Sequence, residues 1–442
     1  MPITKRILRV LKWTGIVLAC VVAILLIINA VAVWVVNSKV EKRIAAIHEA
    51  GDPVSLSELK AADVPTKENA ATYLNRAKSD AESLTKELMP VYDSLRERSE
   101  DLEEGVEIYP TDDELKTIES AYAAYPRIIP LLEQAARCPA YSGDFRPPES
   151  TDDFMEALIQ NNSEKRMFAR LLYGERFSLL LSKKQYDQAI QDAITQLKLS
   201  RLMEKDPGIV NFVVAGGVFR GIAFEHINEV LQSGHVSDEL RQELEEELAK
   251  IDVFQPFIEA LKVEQAFVND RFVELKDEFG LFHIMVSREQ PGALDEIKKI
   301  MDRASALRTE SDWTSVLDAV PEPPASGPLT LMSVKTLNRY EEVTRRVATQ
   351  TRIVRVINAL GRRDNPDKAP LPDLSDLGLP KSVTTDPFSG KPLIVKKVDG
   401  GWLVYSVGEN RTDDGGNIYG QPPLDIGLRP VVRVKVDPAK KE

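Results

Sequence analysis

Residues 13–36 read WTGIVLACVVAILLIINAVAVWVV, a run without a charged side chain in which Asn29 is the only strongly polar residue. At about 1.5 Å of rise per residue, this run exceeds the roughly 20 residues a helix needs to cross the hydrocarbon core of a bilayer. The sequence therefore predicts a transmembrane helix at 13–36. Trp13 and Trp34 stand near its two ends, where an amphipathic indole favours the headgroup region. Lys5, Arg6, Arg9 and Lys12 precede it with no acid among them, whereas Lys39, Lys42 and Arg43 after it are diluted by Glu41. That bias places residues 1–12 in the cytoplasm and the bulk of the chain outside a bacterial inner membrane. A cleaved signal peptide has an apolar stretch of only about 7–15 residues. Cys20 follows Val17-Leu18-Ala19 in the manner of a lipoprotein site, but the apolar run continues well past it. The expectation is an uncleaved, single-pass anchor in contact with the lipid bilayer.

Outward from the anchor, the 442 residues are enough for about two or three folded units. The net charge is −12, of which the flank before the span contributes +4, so the remainder carries −16. Such a surface lacks the basic footprint that phosphates require, which excludes a general nucleic-acid binder. Two cysteines exclude a disulfide scaffold, and Cys138 is the only thiol beyond the span. His48, His226, His235 and His283 show no metal-ligand spacing.

Apolar residues at three- and four-residue spacing predict an irregular helical bundle over 40–320. Thr111-Asp112-Asp113-Glu114 is a capping-box pattern ahead of Leu115, Ile118 and Tyr122. Ser237-Asp238-Glu239 opens a second helix, with Glu245-Glu246-Glu247 on its solvated face, and Pro256 fits the first turn of a third. The segment 182–190 resembles the turn of a tetratricopeptide hairpin, without a clear copy at a 34-residue period. Ala215-Gly216-Gly217-Val218-Phe219-Arg220-Gly221 lacks the strand and the spacing of a phosphate cradle, so it reads as close helix contact, with Gly234 as a C-cap. Trp313 and the Phe254, Phe257 and Phe267 set read as core.

A Pro-rich linker at 321–330 leads into 331–442, a long helix followed by a small α+β module. There Pro392-Leu-Ile-Val and Trp402-Leu-Val-Tyr-Ser flank Asp399-Gly400-Gly401, a β-hairpin signal. Val432, Val434 and Val436 alternate with basic residues as one more strand. The fold class expected is mainly α, with a transmembrane helix, a helical ectodomain and a C-terminal hairpin module.

Asp386-Pro387-Phe388-Ser389-Gly390-Lys391-Pro392-Leu393, then 402–410 (WLVYSVGEN), then Asp413-Asp414-Gly415-Gly416, resembles the C-terminal part of type II secretion major pseudopilins. The similar segment covers about 345–417. In that family the loop after the Tyr/Phe-Ser-x-Gly strand binds calcium. By position the resemblance implies Asp413 and Asp414 as side-chain ligands, helped by Asn410 or Ser406, a hard-oxygen set of the kind calcium takes. The chain departs from the family in lacking a prepilin-peptidase site before its apolar helix and in placing some 300 residues between that helix and the similar segment. Filament assembly by the family mechanism is therefore not implied. Glu68-Asn69-Ala70-Ala71-Thr72-Tyr73 is similar to bacterial membrane-anchored envelope proteins, a likeness that carries no activity with it.

No Gly-x-Ser-x-Gly, His-Glu-x-x-His, Walker or Cys-x-x-Cys pattern occurs, and no catalytic residue stands out. Glu225 and His226, adjacent on a helix, are expected on different faces. The function expected is a non-enzymatic envelope scaffold docking a protein partner, with a secretion or pilus-like assembly as its setting. The alternatives are an envelope hydrolase whose site is assembled from distant acids, and a tetratricopeptide-like adaptor.

Overall fold

The computed structural model describes residues 2–60, 62–143, 148–279, 283–319, 327–362, 373–420 and 423–436. Helix α1 (Pro2–Glu49) is a single rod that continues beyond the apolar run, and it is long and apolar enough to cross a membrane. Its C-terminal end is tied to the rest of the chain, where Val40 is buried and Arg43 pairs with Asp295. Helix α2 (Ala70–Ser99) starts at Asn69, whose side chain accepts the Ala71 amide, and strand β1 (Val106–Ile108) follows it. The capping box forms as expected at the start of α3 (Asp112–Ala124), with the Thr111 amide donating to Glu114 Oε2 at 2.7 Å and the Glu114 amide to Thr111 Oγ1 at 3.3 Å.

Helices α4 (Ile128–Ala136), α5 (Thr151–Tyr173), α6 (Glu175–Ser182) and α7 (Tyr186–Met203) continue the bundle, and α6 and α7 are the hairpin expected around 182–190. After α8 (Ile209–Phe212) the glycine motif forms a π-helical stretch, Val213–Phe219, that runs directly into α9 (Arg220–Ser233). Wider π turns leave carbonyls without their α-helical partners, and α7 supplies donors: Ser200 Oγ to Ala215 O at 2.6 Å and Gln196 Nε2 to Phe219 O at 2.8 Å. A Cβ on Gly216 would stand 3.0 Å from Glu204 Oε2, and one on Gly217 3.1 Å from Val343 Cγ1. Close contact thus explains both glycines but not Gly221, whose Cβ would meet nothing within 4 Å. Gly234 ends α9 in an extended conformation (φ −150°), and its missing Cβ makes room for the Tyr186 ring rather than for a left-handed turn.

Helix α10 (Asp238–Ala249) begins where Ser237 predicts, although that side chain makes no capping bond. Its acidic run is not uniformly solvated. Glu247 is buried against Lys250 (2.6 Å) and Arg201 (3.4 Å), Glu245 takes Arg355 (2.7 Å), and only Glu246 stays exposed. Basic side chains on neighbouring helices neutralise acids that helical period alone assigns to water.

Helices α11 (Phe254–Phe279) and α12 (His283–Thr309) form an antiparallel pair, with Pro256 in the first turn of α11. Past α13 (Thr314–Asp318), residues 321–326 of the expected linker lie outside the described residues, and α14 (Pro328–Leu360) is the expected long helix. Trp313 is fully buried and edge-on to Phe254 (5.6 Å) and Phe388 (5.3 Å). Phe254 and Phe257 are also core, while Phe267 is half-buried beside it. After α15 (Lys381–Thr384) come β2 (Ile394–Val398), β3 (Gly401–Ser406) and β4 (Ile426–Leu428), an antiparallel sheet in that order whose first two strands are the predicted hairpin. The last strand, β5 (Val432–Val434), pairs not with this sheet but in parallel with β1, placing Glu107 opposite Arg433. One buried cluster then runs from Phe177 through α9, α11, α12 and α14 to Trp402 and Leu428.

Candidate functional site

A half-open cavity of about 640 Å³, bordered by the β1–β5 pair, lies between the helical body and the C-terminal sheet, within the range of small-molecule pockets. Helix α9 forms its floor. Arg433 Nη2 donates to Glu229 Oε2 at 2.9 Å, Arg433 Nε bonds the other carboxylate oxygen, and Arg433 Nη1 donates to the Ile108 carbonyl at 3.1 Å. One guanidinium therefore fastens β5 to both α9 and β1. Asn228 Nδ2 donates to the Arg429 carbonyl at 2.7 Å, and Gln232 Oε1 accepts the Trp402 amide at 2.6 Å. The walls come from the end of α2, the α5–α6 junction and α14, which contributes Arg346 and Gln350.

Glu107, Glu225, His226 and Arg346 all line this space. Burial raises the Glu107 carboxyl above its ordinary range, with Arg433 opposing and Glu229 reinforcing the shift. Burial and then the charge of Glu107 raise Glu225, against Arg346. Burial pushes the His226 imidazole down to about 3, helped by the Arg433 charge, so the ring is neutral at physiological pH. That ring stacks on Phe177 with centroids 3.8 Å apart. Burial lowers Arg346, which Glu225 partly restores. The cavity therefore offers two carboxyl groups, a neutral imidazole and a guanidinium.

Glu225 and His226 leave α9 in different directions, as expected, yet both border this cavity. Adjacent residues are about 100° apart on a helix, and a cavity wrapped around α9 touches both. Glu107 and Arg346 carried no signal in sequence. They lie on a three-residue strand and in the middle of a long helix, and only the fold brings them together.

The loop singled out by the pseudopilin resemblance lies elsewhere. Asn410 Nδ2 donates to Asp414 Oδ2 at 2.7 Å, so these two are brought together. Asp413 Oδ1 accepts the Tyr405 hydroxyl at 2.7 Å and the Gly415 amide at 2.9 Å, bonds that hold its carboxyl below the usual range. Ser406 does not fit the set, because its hydroxyl is buried and donates to Asp386 Oδ1 at 2.7 Å. The loop is held by two acids that the reading of the motif left aside. Buried Asp425 accepts the Gly416 and Asn417 amides, each at 2.9 Å, and buried Asp386 accepts the Phe388 amide at 3.0 Å and the Val407 amide at 3.1 Å. Among the described residues no group of three or more His, Cys, Asp or Glu side chains converges to hold a metal ion. Comparison with known protein families, curated proteins and solved structures finds no match to this chain.

Proposed function

We propose that this chain is a single-pass, membrane-anchored envelope protein with its body outside the cytoplasm, and that it binds a small polar ligand in the cavity over α9. The anchor reading is supported by the length and apolar character of α1 and by the basic flank before it. The binding reading is carried by one observation: Glu107, Glu225, His226 and Arg346, from three separate elements, line one cavity. A protein partner in a secretion or pilus-like assembly belongs to the same proposal, with the cavity as the place where a ligand biases that docking. Thermal melting of the full chain against a panel of small polar compounds tests it. A compound that raises the melting temperature of the wild type and not of Glu107→Gln/Glu225→Gln supports the reading. Compounds that act equally on both proteins, or none that act, count against it.

A second reading, an envelope hydrolase, is favoured by the two carboxyl groups, Glu107 and Glu225, that line the same cavity, since paired acids are the groups that general acid and base steps use. Turnover of chromogenic esters or glycosides that falls at least 100-fold in Glu225→Gln would move the assignment to this reading.

A further inference from the structure

We infer that a second pocket, bordered by the ends of α10 and α12, the start of α11, α14 and α15, binds a small organic monocarboxylate through the open edge of the Arg352 guanidinium. The space measures about 520 Å³, and its lining combines apolar side chains such as Ile251, Val253, Phe254 and Val383 with five charged ones. Three of the five are already matched. Arg308 Nε donates to Asp252 Oδ2 at 2.6 Å, and Asp252 Oδ1 accepts the Phe254 and Gln255 amides, each at 3.1 Å. Arg355 Nη2 donates to Glu245 Oε1 at 2.7 Å. Arg352 and Glu310 are the two that make no ion pair among the described residues.

Arg352 is nonetheless held in place. Its Nη1 donates to the Ser311 carbonyl at 2.8 Å and to the Thr385 carbonyl at 2.9 Å, and its Cζ stands 5.2 Å from the centre of the Trp313 ring. These contacts leave Nε and Nη2 without a protein acceptor among the described residues, and neither atom is sealed from solvent. The same edge takes carboxylates elsewhere in this chain. Arg43 meets Asp295, Arg303 meets Glu341 and Arg433 meets Glu229, each through Nε to one oxygen and Nη2 to the other. Two parallel N–H donors there match the two oxygens of one carboxylate. Asp386, whose charge acts on Arg352 from a distance, is committed to the Phe388 and Val407 amides and to the Ser389 and Ser406 hydroxyls. A ligand carboxylate supplies the missing half of the pair, and an apolar body attached to it has the apolar lining to rest on. Glu310 is exposed and opposes a second negative charge in the same pocket, which limits the ligand to one.

Calorimetric titration of the detergent-solubilised full chain with hydrocinnamate, its uncharged amide and the dianion phenylsuccinate tests this. Hydrocinnamate is expected to saturate one site at millimolar concentration or below, with the amide and the dianion several-fold weaker. Glu310→Gln, which changes an exposed side chain, is expected to tighten hydrocinnamate several-fold. Arg352→Lys keeps the charge and loses the two-donor edge, and is expected to abolish binding. Glu107→Gln/Glu225→Gln should leave the affinity unchanged, which separates this pocket from the one over α9. The inference is overturned by an amide that binds as tightly as the acid, by the absence of saturable hydrocinnamate binding, or by an affinity lost in Glu107→Gln/Glu225→Gln. An affinity unmoved in Glu310→Gln overturns it too, and this variant decides the matter even where Arg352→Lys melts early.

Discussion

Arg43 and Asp295 form a bidentate ion pair across 252 residues of chain, Nε to Oδ1 at 2.7 Å and Nη2 to Oδ2 at 2.6 Å. The pair makes the C-terminal end of α1 part of the body instead of a free tether. Because both side chains are partly exposed, the pair itself contributes at most about 1 kcal/mol, and the burial of Val40 supplies the rest of the docking. Arg43→Ala is expected to lower the melting temperature slightly. Val40→Asp, which buries an unpaired charge, is expected to lower it more and to open the segment after Val40 to protease. Cleavage by limited proteolysis that is unchanged in Val40→Asp would contradict the docked arrangement.

The glycines of the π-helical stretch are predicted to respond with opposite signs. Gly216→Ala pushes a methyl against Glu204, whose carboxylate pairs with the fully buried Arg220, and is expected to destabilise by about 1–3 kcal/mol. Gly221→Ala meets open space within the helix and is expected to stabilise by about 0.5–1 kcal/mol. Urea unfolding of the two variants against wild type checks both.

A pH dependence follows from Glu264 on α11, whose carboxyl is pushed up to about 7 by burial. The folded state holds this proton between the ordinary carboxyl range and pH 7 while the unfolded state has released it. Stability from this group is therefore fully present at low pH and falls as pH rises to about 7. Glu264→Gln removes that loss, so its stability relative to wild type should grow between pH 5 and pH 8, as read by denaturant titration at both values.

At the 410–414 loop Asp413 Oδ1 accepts from Tyr405 and the Gly415 amide, and Asp414 Oδ2 accepts from Asn410. The Lys396 ammonium donates to the Gly415 carbonyl at 3.2 Å, at the place where a cation would compete. Calorimetry at millimolar calcium is expected to show no binding and no gain in melting temperature. A gain that disappears in Asp413→Ala/Asp414→Ala would establish the pseudopilin-type calcium site instead.

Features set by near neighbours in sequence were legible before the structure. The Thr111 capping box, the Asp399-Gly400 hairpin and the strand at Val432 each depend on a few adjacent residues. The partner of that strand was not legible, because Val106–Ile108 is three residues long and pairs in parallel from the far end of the chain. That pairing carries Glu107 to the cavity that Glu225 and Arg346 also line, which is why the three could not be joined from sequence. The acidic run at Glu245–Glu247 was misjudged for the same reason, since Arg201 and Arg355 reach it from other helices.

Native mass spectrometry of the detergent-solubilised full chain, incubated with a small-molecule extract of bacterial envelopes, tests ligand binding in the cavity most directly. The account predicts a discrete small-molecule adduct on the wild type that is lost in Glu107→Gln/Glu225→Gln while both proteins melt at the same temperature. An adduct retained by the double variant, or a wild type that carries none, would contradict it.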